Sequence, residues 1–186
     1  MTQPATDRAR IDDSVLLVVD VQGKLARLMH DSEAMIRALQ RLIRACRVLD
    51  VPVVWAEQLP DKLGATVDEL QEPLEGLSPC AKSSFDCWGD ATLRARIEAT
   101  GRRQVLLCGI ETHVCVWQTA ASLLDDGYCV HVVADATSSR SAANRDVGLR
   151  RMERAGVHPS NVEMALFELM VDAGHPKFRE VTRLLK

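Results

Sequence analysis

The sequence lacks the features that mark membrane, secreted and nucleotide-binding proteins. No apolar run in its 186 residues approaches the ~20 that a membrane-spanning helix requires, and residues 1–13 contain no stretch typical of a signal peptide. Its glycines form neither a G-x-G-x-x-G fingerprint nor a P-loop. The net charge of −3 argues against a protein that coats nucleic acid. We therefore expect a cytoplasmic protein without a cofactor that binds a small molecule rather than a membrane or nucleic acid.

Metal-binding and disulfide patterns are also missing, although there are six cysteines. No C-x2-C pair occurs and the five histidines stand singly, which argues against a zinc site. Disulfides are rare in a chain of this size without a secretory signal, because cytosolic thiols stay reduced. Cys46, Cys108 and Cys129 lie inside helical or strand patterns and are predicted to be core residues. Cys80 and Cys87 lie in an irregular stretch and stay ambiguous.

Short apolar runs alternate with amphipathic helical patterns along the whole chain. Six strands are predicted, over residues 14–20, 51–55, 79–82, 104–110, 128–134 and 161–165. Helices are predicted over residues 33–49, 90–100, 112–125, 144–155 and 177–185. This alternation predicts an α/β protein: a flexible segment over 1–13, then one three-layer αβα domain over 14–186. Its six-stranded, mainly parallel, Rossmann-like sheet would carry helices on both faces.

Ligands of open parallel sheets bind beyond the carboxyl ends of the strands, and this rule selects candidate residues. Asp20 follows five apolar residues. It is either a partly desolvated general base or a turn and cap residue. Lys82 follows the third predicted strand. It is either an exposed surface lysine or a cation that holds a thiolate and orients a carboxylate.

Cys115 lies between a predicted buried strand and a predicted helix, in Gly109-Ile-Glu-Thr-His-Val-Cys115. Backbone N–H groups at a helix N-terminus lower a thiol pKa and can hold a developing oxyanion. The alternative is a buried structural cysteine in the first turn. His113 is two residues away, and residues with that spacing point to different sides of a helix. We therefore interpret His113 as a pocket or interface residue rather than the partner in a Cys–His dyad.

Taken together, these segments resemble the isochorismatase-like cysteine hydrolases, a superfamily that includes nicotinamidases and N-carbamoylsarcosine amidohydrolases. The matching segments span nearly the whole chain: Leu17-Val-Val-Asp20-Val-Gln22, Lys82-Ser-Ser-Phe85, Gly109-Ile-Glu-Thr-His-Val-Cys115 and Gly127-Tyr-Cys-Val-His-Val-Val-Ala-Asp135-Ala-Thr-Ser-Ser139-Arg140. Residues 57–64 and 175–178 resemble the subgroup called isochorismatase domain-containing proteins. The resemblance implies the isochorismatase-like hydrolase fold and self-association into a homo-oligomer.

The resemblance also implies the identity of the site residues. It implies a catalytic triad of Asp20, Lys82 and Cys115. It implies a non-proline cis peptide bond between Ile110 and Glu111. An oxyanion hole would then be formed by the backbone N–H groups of Glu111 and Cys115.

One departure from the nicotinamidases narrows the expected chemistry. They carry a metal-binding Asp-x-His pair after the second strand, where this chain has Trp55-Ala-Glu57-Gln58. The leading hypothesis is therefore a metal-independent amidase that forms a thioester on Cys115 and hydrolyses a small amide-like substrate. The alternatives are an isochorismate-type vinyl ether hydrolase and a non-enzymatic binding or redox-responsive protein. The predicted pocket wall consists of Gln22, Gln58, Phe85, Trp88 and His113, with loop packing as the alternative role for Phe85 and Trp88.

Overall fold

The computed structural model describes residues 8–186 and confirms the predicted α/β architecture. The strands are β1 (Ser14–Val19), β2 (Val53–Gln58), β3 (Cys80–Lys82), β4 (Gln104–Ile110), β5 (Cys129–Ser138) and β6 (His158–Ser160). They form one sheet in the order β3-β2-β1-β4-β5-β6. All its neighbouring strands are parallel.

Helices cover both faces of this sheet and bury two separate apolar cores. They are α1 (Gly23–Arg27), α2 (Ser32–Val48), α3 (Pro60–Leu63), α4 (Ala91–Glu98), α5 (Trp117–Asp125), α6 (Ala142–Ala155), α7 (Val162–Met170) and α8 (Phe178–Leu184). Helices α1, α2, α7 and α8 contribute to one core, and α4, α5 and α6 to the other. Among the helices of residues 8–186, none is long and apolar enough to cross a membrane.

The central strand β1 explains why residues 15–19 form an uninterrupted apolar run. All six of its residues are buried. Leu16 and Val18 contribute to one core, whereas Val15, Leu17 and Val19 contribute to the other. Because side chains alternate across a strand, only a run that is apolar at every position satisfies both faces.

The strand order places a crevice at the carboxyl end of β1. Strand β1 pairs with β2 on one side and with β4 on the other. Strands β2 and β3 therefore extend the sheet to one side of β1, and strands β4 to β6 extend it to the other. Ligand sites of open α/β sheets lie at such a switch point. Asp20 follows β1, Lys82 ends β3, and the turn Thr112–Val116 follows β4. The topology therefore brings three distant segments to one edge.

The predicted strand over 161–165 is wrong. The sixth strand is His158–Ser160, and the following residues form α7. The Asn161 side chain accepts a hydrogen bond from the Met164 N–H at 2.8 Å, which caps this helix. The buried residues of α7 recur with helical spacing. This apolar segment therefore packs against the core as a helix rather than as a strand.

The N-terminal segment predicted to be flexible, 1–13, is described only in part, since residues 1–7 lie outside the described residues. The backbone N–H of Ala9 donates to the Glu168 carboxylate at 3.0 Å. The N–H of Arg10 donates to the Gln104 side-chain oxygen at 2.9 Å. Residues 9 and 10 are therefore hydrogen-bonded to α7 and β4, while the domain boundary at residue 14 stays a prediction.

Gly109 permits a close approach between β1 and β4 beside the crevice. Its φ is +107°, and a Cβ atom built there would lie 2.1 Å from the Val19 carbonyl oxygen. Both the positive φ and the lack of space require glycine. Val19 directly precedes Asp20, so this contact sets the position of the site relative to the sheet.

We expect Gly109→Ala to destabilise the fold by at least about 2 kcal/mol more than Gly101→Ala. Gly101 also has a positive φ, of +67°, but a Cβ atom there meets nothing within 4 Å. The control therefore carries backbone strain without the steric overlap. Urea unfolding of the two variants measures the difference, and equal losses would contradict the proposed close approach.

Candidate active site

Asp20 has a backbone conformation that turns its carboxylate into the crevice. Its φ is +54°, a left-handed conformation that aspartate and asparagine tolerate better than most residues. Its N–H still donates to the Ala56 carbonyl at 3.1 Å, which continues the pairing with β2. The carboxylate is therefore held at a fixed strand end, and Asp20 is only 2% exposed.

Lys82 forms a buried ion pair with Asp20. Its Nζ lies 2.7 Å from Asp20 Oδ2 and 2.6 Å from Gln58 Oε1. It also donates to the backbone carbonyls of Ser84 at 3.1 Å and Phe85 at 3.4 Å. The lysine side chain has no exposed surface. Four oxygen acceptors thus surround three ammonium protons, so this lysine is a structural cation rather than a surface residue.

The second carboxylate oxygen of Asp20 stays available for chemistry. Oδ1 is buried and accepts no hydrogen bond of ordinary geometry in the described structure, while the Cys115 thiol lies close enough to interact with the Asp20 carboxylate. Burial raises the pKa of Asp20 above its ordinary value of 3.8, and the Lys82 ammonium offsets only part of that effect. Burial would lower the pKa of Lys82, but the electrostatic influence of Cys87 and Asp20 outweighs it and raises that pKa. Asp20 combines an available oxygen with increased proton affinity, as a general base requires.

Cys115 lies in a π-helical turn, Thr112–Val116, between β4 and α5. Burial, followed by the charge of Asp20, raises the pKa of its thiol to about 12. Lys82 and a hydrogen bond from the backbone N–H of Glu111 lower this pKa by less. The prediction that the helix N-terminus produces a low thiol pKa is therefore wrong. The resting sulfur is a neutral thiol, whose proton must be removed by a neighbouring base.

Glu111 is fixed through both its backbone and its side chain. The peptide bond between Ile110 and Glu111 is cis. The Glu111 carboxylate accepts a hydrogen bond from the Arg140 backbone N–H at 3.0 Å and from its guanidinium at 3.2 Å. The Glu111 N–H donates to the sulfur of Cys115. A backbone donor is thus aimed at the atom where a nucleophilic attack would begin.

A cavity of about 110 Å³ lies against Asp20 and Cys115. Gln58 and Phe85, both predicted pocket residues, line it. The remaining lining residues, which sequence analysis did not assign to the pocket wall, are Leu25, Leu63, Ile110, Glu111 and Val114. Leu25 and Leu63 come from the short helices α1 and α3. Their place in the cavity depends on tertiary packing, and the motif over residues 57–64 that contains Leu63 indicated the family subgroup rather than a pocket role.

Three residues that the sequence predicted for the pocket wall, Gln22, Trp88 and His113, do not line this cavity. Gln22 joins β2 to a loop, because its side-chain nitrogen donates to the carbonyls of Gln58 and Gly64 while its oxygen accepts from the Gln58 N–H. Trp88 packs edge-on against Tyr128, with ring centroids 4.9 Å apart. His113 Nδ1 lies 3.0 Å from the Ser139 hydroxyl oxygen. None of these three side chains is among the residues that line the cavity.

Glu57 has a structural role where nicotinamidases carry metal ligands. Its Oε1 accepts hydrogen bonds from both the N–H and the hydroxyl of Thr66, each at 2.7 Å. Over residues 8–186, no group of three or more His, Cys, Asp or Glu side chains is placed to hold a metal ion. Glu57 therefore fastens the loop after α3 to the end of β2.

The other five cysteines differ from Cys115 in their surroundings. No two of the six form a disulfide. Burial raises the thiol pKa of Cys46 to about 12, and it also raises that of Cys87 and Cys108. Cys129 Sγ lies 3.4 Å from the ring nitrogen of His131, on the same strand. Cys115 is the cysteine that lines the cavity beside Asp20.

The sequence matches a known protein family. The family is described as Isochorismatase domain, and the match covers residues 14–164. The chain belongs to the isochorismatase family. It is 40% identical over 185 residues to isochorismatase domain-containing protein 2 of Pongo abelii, and the match covers 99% of this chain and 88% of the relative. These matches confirm the predicted superfamily and its subgroup.

Two solved structures of isochorismatase-like proteins show a similar fold. The structure of MAR1 ribonuclease from Caenorhabditis elegans is 37% identical, with a TM-score of 0.90, and covers 96% of this chain and 92% of its own. YcaC from Pseudomonas aeruginosa, with hexane-2,5-diol and covalent acrylamide, is 25% identical, with a TM-score of 0.87. That match covers 98% of both chains. The α/β fold of this isochorismatase-family protein is therefore shared with both structures over nearly all of the given chain.

We expect strong energetic coupling between Asp20 and Lys82. Asp20→Asn keeps a residue that tolerates positive φ but leaves the ammonium buried without its counterion, at a cost of about 3–5 kcal/mol. Adding Lys82→Met removes the unpaired charge, so the double variant should unfold less easily than the sum of the single losses predicts. Urea unfolding of the full cycle measures this coupling.

The surface pair Glu33–Arg37 is the control for this cycle. Its side chains are 89% and 59% exposed and lie 3.5 Å apart. Exposed ion pairs contribute little because water and salt screen them. We expect no measurable coupling there, and an equally small value for Asp20 and Lys82 would show that their ion pair does not stabilise the site.

Proposed function

We propose that this isochorismatase-family protein is a metal-independent cysteine hydrolase that cleaves a small amide through a thioester on Cys115. The observation that carries the proposal is the buried Asp20 Oδ1, which accepts no hydrogen bond of ordinary geometry in the described structure, beside a neutral thiol. A neutral thiol needs a base, and Asp20 supplies one in the same cavity. Lys82 keeps Asp20 in position and balances its charge.

In the acylation step, Asp20 accepts the Cys115 proton as the sulfur attacks the amide carbon. The new C–S bond forms while the carbonyl electron pair moves to oxygen. The Glu111 N–H, together with that of Cys115, would stabilise this oxyanion. When the tetrahedral intermediate collapses, Asp20 returns the proton to the leaving nitrogen, and ammonia or an amine departs.

In the deacylation step, Asp20 is again ionised and removes a proton from water. The hydroxyl oxygen attacks the thioester carbon, and the C–S bond breaks. The sulfur recovers the proton from Asp20, which regenerates the thiol and releases a carboxylic acid. Each step uses Asp20 alternately as base and acid, for which a raised pKa is suited.

The covalent acrylamide in YcaC from Pseudomonas aeruginosa supports this proposal. Acrylamide is both an electrophile and a small amide. Thiols add to the C=C bond of acrylamide, so its covalent attachment in a relative of the same fold is consistent with a nucleophile that a molecule of this size reaches. We expect Cys115 to form the same adduct if it is activated.

One alternative is vinyl ether hydrolysis of the isochorismate type. The raised pKa of Asp20 favours it, because a protonated carboxyl can act as a general acid. That mechanism leaves Cys115 without a role, so Cys115→Ala separates the two reactions. An RNA oligonucleotide belongs in the same activity screen, since a 37% identical relative is described as a ribonuclease.

A cytoplasmic location and assembly into a homo-oligomer complete the proposal. Phe85 and Leu59 are large apolar side chains that are 55% and 37% exposed. A second subunit that covered these two side chains would remove their apolar surface from water. Sedimentation velocity would report the assembly state, and a purely monomeric species at micromolar concentration would refute the oligomer.

We expect Cys115→Ala to abolish hydrolysis of small amides and Cys129→Ala to leave it unchanged. Only Cys115 lines the cavity with Asp20. Intact-mass spectrometry during turnover should show an acyl adduct on the wild-type chain that is missing from Cys115→Ala. Retained amide hydrolysis in that variant would refute the thioester mechanism. A sulfenate or disulfide after mild peroxide, without an acyl adduct, would favour a redox-responsive protein.

We expect the acidic limb of the pH profile of kcat/KM to have its midpoint above 3.8. Asp20 must be ionised to accept the thiol proton, and burial raises its pKa. The protonated, inactive form therefore persists to higher pH than for an exposed aspartate, and activity falls as the pH decreases through the raised value. Circular dichroism at each pH excludes unfolding as the cause. A midpoint at or below 3.8 would contradict the assignment of Asp20 as the base.

A further inference from the structure

The cavity beside Cys115 contains features that distinguish among possible amide substrates. We propose that it selects neutral amides with a compact apolar acyl group and excludes substrates that carry a carboxylate. The reaction in this proposal rests on the proposed amidase function. The charge selectivity is a property of the cavity and can be measured without turnover.

No cation in the cavity wall is available to a substrate carboxylate. Among the nine lining residues the ionisable ones are Asp20, Glu111 and Cys115. The nearby Lys82 is already surrounded by four oxygen acceptors, at 2.6 to 3.4 Å from Nζ. Its three protons have no capacity left for a substrate anion.

Two carboxylates would repel an incoming anion. Asp20 lines the cavity with its buried Oδ1, and Glu111 lines it as well. The guanidinium of Arg140 binds Glu111, but Arg140 is not among the lining residues. A substrate carboxylate would lose its hydration and meet like charges without an ion-pair partner, which is strongly unfavourable.

The remaining wall suits a small apolar group. Leu25, Leu63, Phe85, Ile110 and Val114 provide aliphatic and aromatic surface. The cavity volume is about 110 Å³. An apolar protein cavity of about 150 Å³ accommodates benzene, so this one accommodates an acyl group somewhat smaller than a phenyl ring.

The size of the cavity and the charge of its wall distinguish between chemically related classes of substrate. Primary amides of short branched or linear alkanoic acids satisfy both size and charge. Dicarboxylates such as isochorismate, and N-carbamoyl amino acids, carry anionic groups that this wall cannot pair. The same wall therefore disfavours the vinyl ether alternative for a reason that does not involve Cys115.

Labelling with two reagents of nearly equal shape tests the charge selectivity. Iodoacetamide is neutral and iodoacetate is anionic, and both alkylate thiols. We expect the ratio of their labelling rates at Cys115 to exceed the ratio for glutathione by at least about tenfold, because the cavity repels the anion. Peptide mapping by mass spectrometry gives the rate at Cys115. A ratio equal to that of glutathione would overturn the proposal.

A substitution in the cavity wall tests the same charge selectivity by reversing it. Leu63→Arg adds a cation to the wall and should lower the iodoacetamide preference towards the glutathione ratio. Leu63→Gln is the matched neutral control and should retain the preference. An unchanged preference in Leu63→Arg, with circular dichroism showing a folded protein, would show that the cavity wall does not set the selectivity.

Turnover then distinguishes this proposal from the proposed function. We expect isobutyramide to be hydrolysed with a kcat/KM at least about tenfold above those of oxamate, its anionic counterpart of similar size, and benzamide. Hydrolysis of oxamate or benzamide at an equal or higher rate would overturn the selectivity and leave the amidase function intact. Hydrolysis of none of them, with the labelling preference observed, would overturn the amidase function and leave the charge selectivity standing.

Discussion

The buried ion pair between Asp20 and Lys82 is the interaction on which the site depends. Two charges removed from water need both each other and additional hydrogen bonds to be tolerated. Gln58 and the carbonyls of Ser84 and Phe85 supply those bonds to Lys82. The result is a fixed cation that occupies one oxygen of Asp20 and leaves the other next to a thiol. The carboxylate is therefore oriented before any substrate arrives.

The parallel sheet makes this pair possible by joining segments that are far apart in sequence. Asp20 and Lys82 are separated by 62 positions, yet both stand at carboxyl ends of strands in one sheet. Cys115 comes from the turn after β4, on the other side of β1. Because the backbone of Gly109 lies directly against Val19, Cys115 and Asp20, the proposed nucleophile and base, follow two neighbouring strands that approach closely. The geometry of the proposed site thus follows from the geometry of the sheet.

The sequence predicted the fold because apolar runs located the strands. The carboxyl-end rule placed Asp20, Lys82 and Cys115 among a longer set of candidates, and the resemblance to the isochorismatase-like hydrolases then singled out these three. The rest depended on long-range contacts that local pattern cannot show. Trp88 was assigned to the pocket wall, but its indole N–H bonds Asp126, 38 positions away. The pKa of Cys115 was predicted to be low, because a helix N-terminus is visible in sequence whereas burial is not.

The loop after β3 connects acid–base chemistry to substrate choice. The backbone carbonyl of Phe85 binds Lys82, while Phe85 also lines the cavity. A change in this loop that reshapes the cavity would also shift the lysine and, through it, the proton affinity of Asp20. In the proposed mechanism, substrate range and pH optimum are therefore not independent. Relatives that acquired new substrates through changes in this loop would also have altered pH optima. Changes at Leu25, which comes from α1, would alter the cavity without moving Lys82.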